Sequence, residues 1–250
     1  MNVALVRRPD TGSSCSVQDD EAHVWASSSD DPGLTAEQLG ALLSPRERER
    51  AAAFHFDADR RRFLLSHAFL RDVLSRYLQQ NSTEIEFTFN RHGKPSLAGH
   101  NSMAFNLSHS GTVAICAIAA RRAIGADVER IRPVPDLSDL ADLSFSPRER
   151  TLLRQYDAAV RLDAFFACWT RKEAYVKARG EGLSIPLDSF DVGMDPGAPA
   201  GKFTEVSSAP GASRWWWANV PVARGYAGAI VVEGSPARSV TLFDWNRPLS

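Results

Sequence analysis

Two stretches of the chain carry the same order of polar and apolar positions. Each opens with Ser-Pro-Arg-Glu-Arg, at residues 44–48 and again at 146–150. In both copies a Ser and a Pro precede a Glu at the spacing of a capping box, which marks the start of a helix. A longer apolar pattern with helical spacing follows, and Phe63 and Phe165 occupy the same place in the two copies. We therefore predict a short capped helix and a long apolar helix in each half.

Apolar runs typical of strands follow both helix pairs, at residues 84–89 and 112–119 in the first half and at 215–220 and 226–232 in the second. Chance could produce the repeat, since Ser-Pro-x-Glu is common at helix starts. The five-residue identity and the helices aligned without a gap after it favour duplication instead. The predicted fold is α+β: two similar α/β lobes related by a pseudo-twofold axis, each a small sheet packed with helices.

We place the N-terminal lobe at residues 1–122 and the C-terminal lobe at 123–250, with the active site in the cleft between them. Three segments rich in Ser, Asp, Pro and Gly interrupt this order. We expect a loose N-terminal arm over residues 1–20 and irregular structure over 26–36. An exposed loop is predicted over 193–213.

The charge balance, the cysteine spacing and the lengths of the apolar runs exclude several classes of protein. The 250 residues contain 29 Lys and Arg against 30 Asp and Glu, for a net charge of −1. This balance excludes a uniformly basic protein, so neither a nucleic acid nor a membrane is an expected partner. Because the three cysteines show no CxxC spacing and no run approaches about 18 apolar residues, we expect a cytoplasmic location. The row Trp215–Trp217 lacks interleaved basic residues, so we interpret it as a core strand rather than a base-stacking surface.

The first candidate for chemistry is the run Ile-Gly-Ala-Asp-Val-Glu at residues 124–129. Strand alternation puts Asp127 and Glu129 side by side on one face. Two neighbouring carboxylates repel each other unless a cation lies between them, which suits an oxygen-preferring ion such as Mg²⁺. The alternative is a solvated strand edge.

The second candidate is the pair Glu173 and Lys177 on the second long helix. At 100° per residue both lie on the continuation of the apolar stripe that contains Leu162 and Phe166. An ordinary surface ion pair, worth about 0.2–0.5 kcal/mol, would normally lie on the opposite face. The position therefore favours a cleft site over a surface pair.

The third candidate is the run Phe-Asn-Leu-Ser-His-Ser-Gly at residues 105–111, whose hydroxyls, Gly and His could donate hydrogen bonds to a phosphate. The same residue types are also ordinary turn formers. A Ser-His hydrolase is disfavoured because Ser108 and His109 diverge on a strand and no GxSxG elbow is present. A second basic turn, which contains Lys94, lies just upstream, and Arg46, Arg48, Arg50 and residues 60–62 add a cationic cluster in the first lobe.

In order along the chain, FNLSHSG, IGADVE and WTRKEAYVKARGEGL resemble the motifs of the two-lobed 4′-phosphopantetheinyl transferases. The resemblance covers roughly residues 44–192 and includes the GKP turn and the tail GLSIPLDSFDV. It implies two pseudo-twofold lobes with coenzyme A and Mg²⁺, or Mn²⁺ as an alternative, bound between them.

The resemblance also implies roles for individual residues. Asp127, Glu129 and Glu173 would hold the metal ion on the coenzyme A pyrophosphate, and Glu173 and Lys177 would be the catalytic residues. The residues implied in coenzyme A binding are Arg50, Arg62, Gly93, Lys94, Ser108, His109 and Lys177. Two departures from the family pattern are a Val between the two strand carboxylates and Arg where relatives often have Lys in the first lobe.

The implied reaction moves phosphopantetheine to a serine of an apo acyl carrier protein, a peptidyl carrier protein or a polyketide synthase carrier domain. The serine attacks the β-phosphorus of coenzyme A and 3′,5′-ADP leaves. An internal pseudo-dimer needs no second copy, so a monomer is expected. Two other functions stay open: a non-catalytic binder of coenzyme A or carrier proteins, and a metal-dependent phosphohydrolase that uses water instead of serine.

Overall fold

The computed structural model describes residues 4–8, 14–28, 34–100, 102–205 and 215–245. The first half contains, in order, β1 (Ala4–Arg8), β2 (Glu21–Ser28), α1 (Ala36–Gly40), α2 (Pro45–Ala52), α3 (Asp57–Leu78), β3 (Phe87–Phe89), β4 (Pro95–Leu97), β5 (Met103–Ser110) and β6 (Val113–Ala120). The second contains β7 (Ile124–Arg130), α4 (Leu137–Ser144), α5 (Pro147–Gln155), α6 (Ala158–Arg179), β8 (Phe190–Asp191), β9 (Ala200–Lys202), β10 (Thr204–Glu205), β11 (Trp215–Asn219), β12 (Tyr226–Glu233) and β13 (Ser239–Asp244).

The molecule is α+β, as predicted, with two main sheets. One has the strand order β1-β13-β2-β6-β5 and the other β7-β12-β11-β9. The antiparallel ladder β2-β6-β5 of the first sheet is equivalent to the ladder β7-β12-β11 of the second. In each ladder, three helices follow the first strand along the chain. An apolar cluster made of residues from both sheets lies between them, and α3 and α6 belong to separate clusters. The layers are therefore helix, sheet, sheet and helix.

Both predicted capping boxes are confirmed, at Ser44 with Glu47 and at Ser146 with Glu149. In each half a cation of the long helix binds the glutamate of the box: Arg71 contacts Glu47, and Lys172 lies 2.8 Å from Glu149. Each cation also donates to two backbone carbonyls of the segment that follows its helix. This shared contact supports the duplication independently of the sequence repeat.

The predicted gapless alignment of the two halves is wrong on the long helices. Arg71 and Lys172 make the same kind of contact and so occupy equivalent positions in the two halves. The separation of these two residues along the chain is one residue shorter than the separation of the two capping boxes. The cause is the link between the short and long helix, which is shorter in the second half. With this register, Asp72 and Arg76 of α3 correspond to Glu173 and Lys177 of α6, and both helices end at a left-handed residue.

The N-terminal arm is not loose throughout. Strand β1 pairs in parallel with β13, and β13 pairs in parallel with β2. A strand of the second half thus completes the sheet of the first half. Strands β1 and β13 are more than 230 residues apart, so their pairing leaves no local signal in the sequence. The polar residues that follow β1 therefore led to the prediction of a loose arm.

Two other predicted irregular segments are partly ordered. Strand β2 extends through residues 26–28, and Thr35 caps α1, so only residues 34 and 35 of the described part of 26–36 lack regular structure before the helix. Within 193–213, β9 pairs with β11 and β10 pairs with β8; residues 206–213 lie outside the described part. The run 84–89 forms a strand only from Phe87. None of the described helices is both long and apolar enough to cross a bilayer.

Glu47 makes the stability of the first half sensitive to acid. Burial opposes its ionisation, but hydrogen bonds from His67, Arg71 and Ser44 outweigh it and lower the pKa of Glu47 from 4.5 to about 2. An acid whose pKa is lower in the folded state stabilises the fold above its unfolded pKa. This contribution, about 3 kcal/mol, is lost as the pH falls towards 2.

We therefore expect Glu47→Gln to be less stable than the wild type at pH 6 and to lose less additional stability between pH 6 and pH 3, as measured by urea unfolding. The matched control is Glu86→Gln, which changes an exposed glutamate. Equal pH slopes for Glu47→Gln and the wild type would contradict the assignment.

Candidate active site

The two carboxylates of β7 face the helix layer. Ile124, Ala126 and Val128 pack in the cluster between the sheets, so Asp127 and Glu129 point to the other side, as the alternation predicts. Asp127 is only 3% exposed and Glu129 is half-buried. The solvated-edge alternative is wrong for Asp127, because α6 covers this face of β7.

Gly125 allows α6 to lie directly on β7. A Cβ atom at this position would be 2.0 Å from the carbonyl oxygen of Ala174 and 2.4 Å from the amide nitrogen of Ala178. The close approach brings Lys177 to Asp127, with 2.6 Å between Nζ and Oδ1. The same ammonium donates to Ser108 Oγ at 2.9 Å.

The Glu129 carboxylate acts on two other carboxylates, those of Asp127 and Glu173. Burial raises the pKa of Asp127 to about 6; Lys177 and the Ser108 hydrogen bond act in the opposite direction, and Glu129 adds to the rise. Burial also raises the pKa of Glu173, with Lys177 opposing and Glu129 contributing. We call Asp127, Glu129 and Glu173 the acidic group. Burial and the Glu129 charge make the ionisation of Asp127 and Glu173 less favourable.

The acidic group fits a hard metal ion by one specific feature. Asp127 Oδ2 is buried and has no hydrogen-bond partner among the described residues. A buried, unsatisfied carboxylate oxygen is costly, and a cation held by oxygen ligands would satisfy it. As the side chains stand, no three His, Cys, Asp or Glu residues in the described part of the chain converge closely enough to hold a metal, and Lys177 occupies the other oxygen of Asp127.

A row of polar side chains on β5 binds the free edge of β7. Asn106, Ser108 and Ser110 accept hydrogen bonds from the amides of residues 126, 128 and 130. Asn106 and Ser110 were not among the predicted site residues. Their period-two spacing, Asn-x-Ser-x-Ser, is the signal that could have identified one polar face of a strand.

A cationic region begins on the opposite face of β5. His109 lines a small cleft with Arg62, Ser66 and Thr112. Burial lowers the pKa of His109, and the charges of Lys177 and then Arg62 lower it further. Arg62 and His109 thus line one cleft, and the Lys177 charge also acts on His109, so the surroundings of His109 favour an anion.

The other predicted coenzyme A contacts lie in different surroundings. The Arg50 guanidinium lies 5.2 Å from the centre of the Phe63 ring, and Arg50 is absent from the lining of the His109 cleft. Ser108 is buried, and its hydroxyl is committed to Asp127, Lys177 and the amide of Val128.

The turn that contains Gly93 and Lys94 joins the two halves. Gly93 has a φ of 84°, which favours glycine. Lys94 donates to the carbonyl of Ala178 at 2.7 Å and to that of Ile124 at 3.2 Å. Burial lowers the pKa of Lys94 to about 8. This lysine therefore binds the end of α6 and the start of β7.

Comparison with known proteins accounts for both halves of the chain. Residues 25–121 match a model described as "4'-phosphopantetheinyl transferase, N-terminal", and residues 123–231 match one described as "4'-phosphopantetheinyl transferase superfamily". The chain belongs to the 4′-phosphopantetheinyl transferase superfamily. It is therefore a transferase, and the resemblance carried by the three motifs is confirmed.

Relatives in this family align over most of the chain. The 4′-phosphopantetheinyl transferase HetI of Nostoc sp. is 39% identical over 184 residues, which cover 72% of this chain and 77% of HetI. The 4′-phosphopantetheinyl transferase Sfp of Bacillus subtilis is 36% identical over 156 residues, 62% of this chain and 68% of Sfp. A putative 4′-phosphopantetheinyl transferase of Synechocystis sp. is 32% identical over 170 residues, 67% of this chain and 68% of the relative.

Proposed function

We propose that this phosphopantetheinyl transferase moves the 4′-phosphopantetheine arm of coenzyme A to a serine of an apo carrier protein, with Mg²⁺ as the cofactor. The observation that carries the proposal is the buried, unsatisfied Asp127 Oδ2 in an acidic group, adjoining the cationic region around His109. A magnesium pyrophosphate needs both kinds of group, carboxylates for the cation and basic side chains for the phosphates.

Asp127, Glu129 and Glu173 would hold the ion. When bound, Mg²⁺ neutralises charge across the pyrophosphate and orients it for in-line attack. The strand supplies two of the ligands and the helix supplies the third, so the packing of α6 on β7 at Gly125 sets their spacing. Water would complete the coordination shell.

Lys177 is the candidate for stabilising the leaving phosphate. Its ammonium is fixed by Asp127 and Ser108, and its side chain is 31% exposed, so the group remains accessible from the cleft. A positioned cation at the developing negative charge of 3′,5′-ADP lowers the barrier without moving during the reaction. It can also donate a proton to the leaving phosphate.

Glu173 is the candidate base for the acceptor serine. Its pKa is raised by burial, which makes the carboxylate a better proton acceptor than an exposed glutamate. A water molecule beside the metal ion is the other candidate.

Arg62 and His109 are the proposed ligands of the nucleotide phosphates because they line one cleft and the Lys177 charge also acts on His109. We keep Arg50, Gly93, Lys94 and Ser108 as candidate contacts of coenzyme A. For Lys94 and Ser108, a phosphate contact requires the side chain to leave its present hydrogen bonds. A cytoplasmic monomer completes the proposal, since both halves of the site lie on one chain.

The test is transfer to apo carrier proteins. The chain is incubated with coenzyme A, Mg²⁺ and an acyl carrier protein, a peptidyl carrier protein or a polyketide synthase carrier domain, and intact mass is measured. We expect a gain equal to one phosphopantetheine, absent with EDTA and absent when the acceptor serine is replaced by alanine. Release of free phosphate without transfer would favour the phosphohydrolase, and coenzyme A binding without any reaction would favour the non-catalytic binder.

A further inference from the structure

The hydroxyls of β5 and the carboxylates of β7 form two matched pairs. Ser108 Oγ donates to Asp127 Oδ1 at 3.0 Å, and Ser110 Oγ donates to Glu129 Oε2 at 2.7 Å. Each hydroxyl also accepts the amide of the residue after its carboxylate, at 3.3 Å for Val128 and 3.1 Å for Arg130. Each serine therefore binds the backbone and the side chain of β7 at the same time.

The two pairs differ in charge. Asp127 Oδ1 also accepts from the Lys177 ammonium, whereas Glu129 makes no ion pair in the described part of the chain and receives the neutral Ser110 hydroxyl. A neutral donor orients a carboxylate without compensating its charge. The Ser110 hydroxyl thus restrains the Glu129 side chain at Oε2 and brings no positive charge to it, so Oε1 stays open to a cation.

The position of Ser110 is itself restrained from both sides. It ends β5 and pairs in register with Val113 of β6. The following turn begins with Gly111 at a φ of 57°, and the amide of Thr112 donates to the Tyr226 hydroxyl at 3.1 Å. Tyr226 pairs in register with Arg130. The hydroxyl of Ser110 is therefore built into the junction between the two sheets and does not depend on a flexible loop.

We infer that Ser110 is a positioning residue for the metal site, which orients the Glu129 carboxylate from the other sheet. This inference rests on the proposed function, because it concerns the ion that function requires. Ser110 acts through Glu129 and is not a catalytic residue. Ser110→Ala removes the donor to Glu129 and the acceptor for the Arg130 amide together, so metal affinity and thermal stability are measured side by side.

The test measures metal affinity directly. Mn²⁺ is titrated into the full chain saturated with coenzyme A in the absence of carrier protein, and free Mn²⁺ is followed by electron paramagnetic resonance. Ser110→Ala should weaken the Mn²⁺ Kd about tenfold, the usual effect of losing a group that orients a metal ligand. Ser110→Thr keeps the hydroxyl and should restore the wild-type Kd to within about twofold. The matched control is Ser96→Ala, which removes an exposed hydroxyl bonded to Thr88 on another hairpin.

A structural role alone gives a different pattern. If Ser110 only anchors β7, Ser110→Ala lowers the Tm and leaves the Mn²⁺ Kd unchanged, and this result would overturn the inference. In the transfer assay, the Mg²⁺ concentration at half-maximal rate should rise about tenfold, with kcat at saturating Mg²⁺ largely retained. A wild-type chain that binds Mn²⁺ without transferring phosphopantetheine would refute the proposed reaction and leave the Kd comparison decisive for Ser110. A wild-type chain that binds no Mn²⁺ would contradict the metal role and the Ser110 inference together.

Discussion

Replacement of Glu173 by Gln is expected to lower kcat for phosphopantetheinyl transfer by about 10²- to 10³-fold. The amide is a weaker ligand for Mg²⁺ than the carboxylate and cannot accept the proton of the acceptor serine. The measurement is the rate of carrier modification at saturating coenzyme A over a wide range of Mg²⁺ concentrations. Glu181→Gln is the matched control, because Glu181 pairs with Arg179 just beyond the end of α6.

The same substitution should leave the fold intact or stabilise it slightly. Burial raises the pKa of Glu173, so its ionised form costs folding free energy at neutral pH, and the neutral amide removes that cost. We therefore expect an unchanged or higher Tm together with the loss of activity. Full activity in Glu173→Gln would refute both roles proposed for this residue. A fall in Tm would instead show that the carboxylate stabilises the helix.

Replacement of Gly125 by Ala is expected to separate α6 from β7. The new Cβ would meet backbone atoms of Ala174 and Ala178 at 2.0 and 2.4 Å, and backbone cannot rotate away as a side chain can. We expect a loss of about 3 kcal/mol of unfolding free energy, at the upper end of overpacking effects. Transfer should fall at least about 10²-fold, since a shift of about 1 Å moves Lys177 and Glu173 out of register with Asp127.

The control for Gly125→Ala is Gly40→Ala, at the last residue of α1. No described atom lies within 4 Å of a Cβ built on Gly40, apart from its own neighbours along the helix, so the methyl group is tolerated there. Urea unfolding and the transfer assay are measured on both variants. Wild-type stability and activity in Gly125→Ala would show that the approach of α6 to β7 is looser than the structure describes.

Local sequence patterns correctly predicted the features whose physical cause lies within a few residues of the chain. The capping boxes depend on residues three positions apart, and they are present as predicted. The alternation of β7 correctly assigned Asp127 and Glu129 to the face opposite the apolar residues. Local patterns failed for β1, because a strand at a sheet edge is defined by its partner β13, which lies at the other end of the chain.

The duplication also explains why the described residues form an acidic site in the second half and none at the equivalent place in the first. By strand register, Trp25 of β2 corresponds to Asp127 of β7, since their partners Cys116 and Ala229 occupy equivalent places on β6 and β12. In the first half, Arg76 lies 2.6 Å from Asp72 and stacks on the Trp25 ring.

Trp245 also donates to Asp72, and both members of the Asp72–Arg76 pair are buried. The carboxylate and base that correspond to Glu173 and Lys177 are therefore enclosed by aromatic residues. With an indole at the position of Asp127, the described residues of the first half form no acidic cleft at this place.

The sequence by itself determined the family, the two capped helix pairs and the identity of the acidic and basic residues, because these depend on short motifs and on the periodicity of single elements. Only the tertiary structure decided which of those residues meet. It brought β13 into the first sheet, shifted the repeat by one residue on the long helices, and laid the polar face of β5 along β7. The reason is that contacts between sheets and between distant strands depend on chain pairing and close packing, which a single sequence does not display.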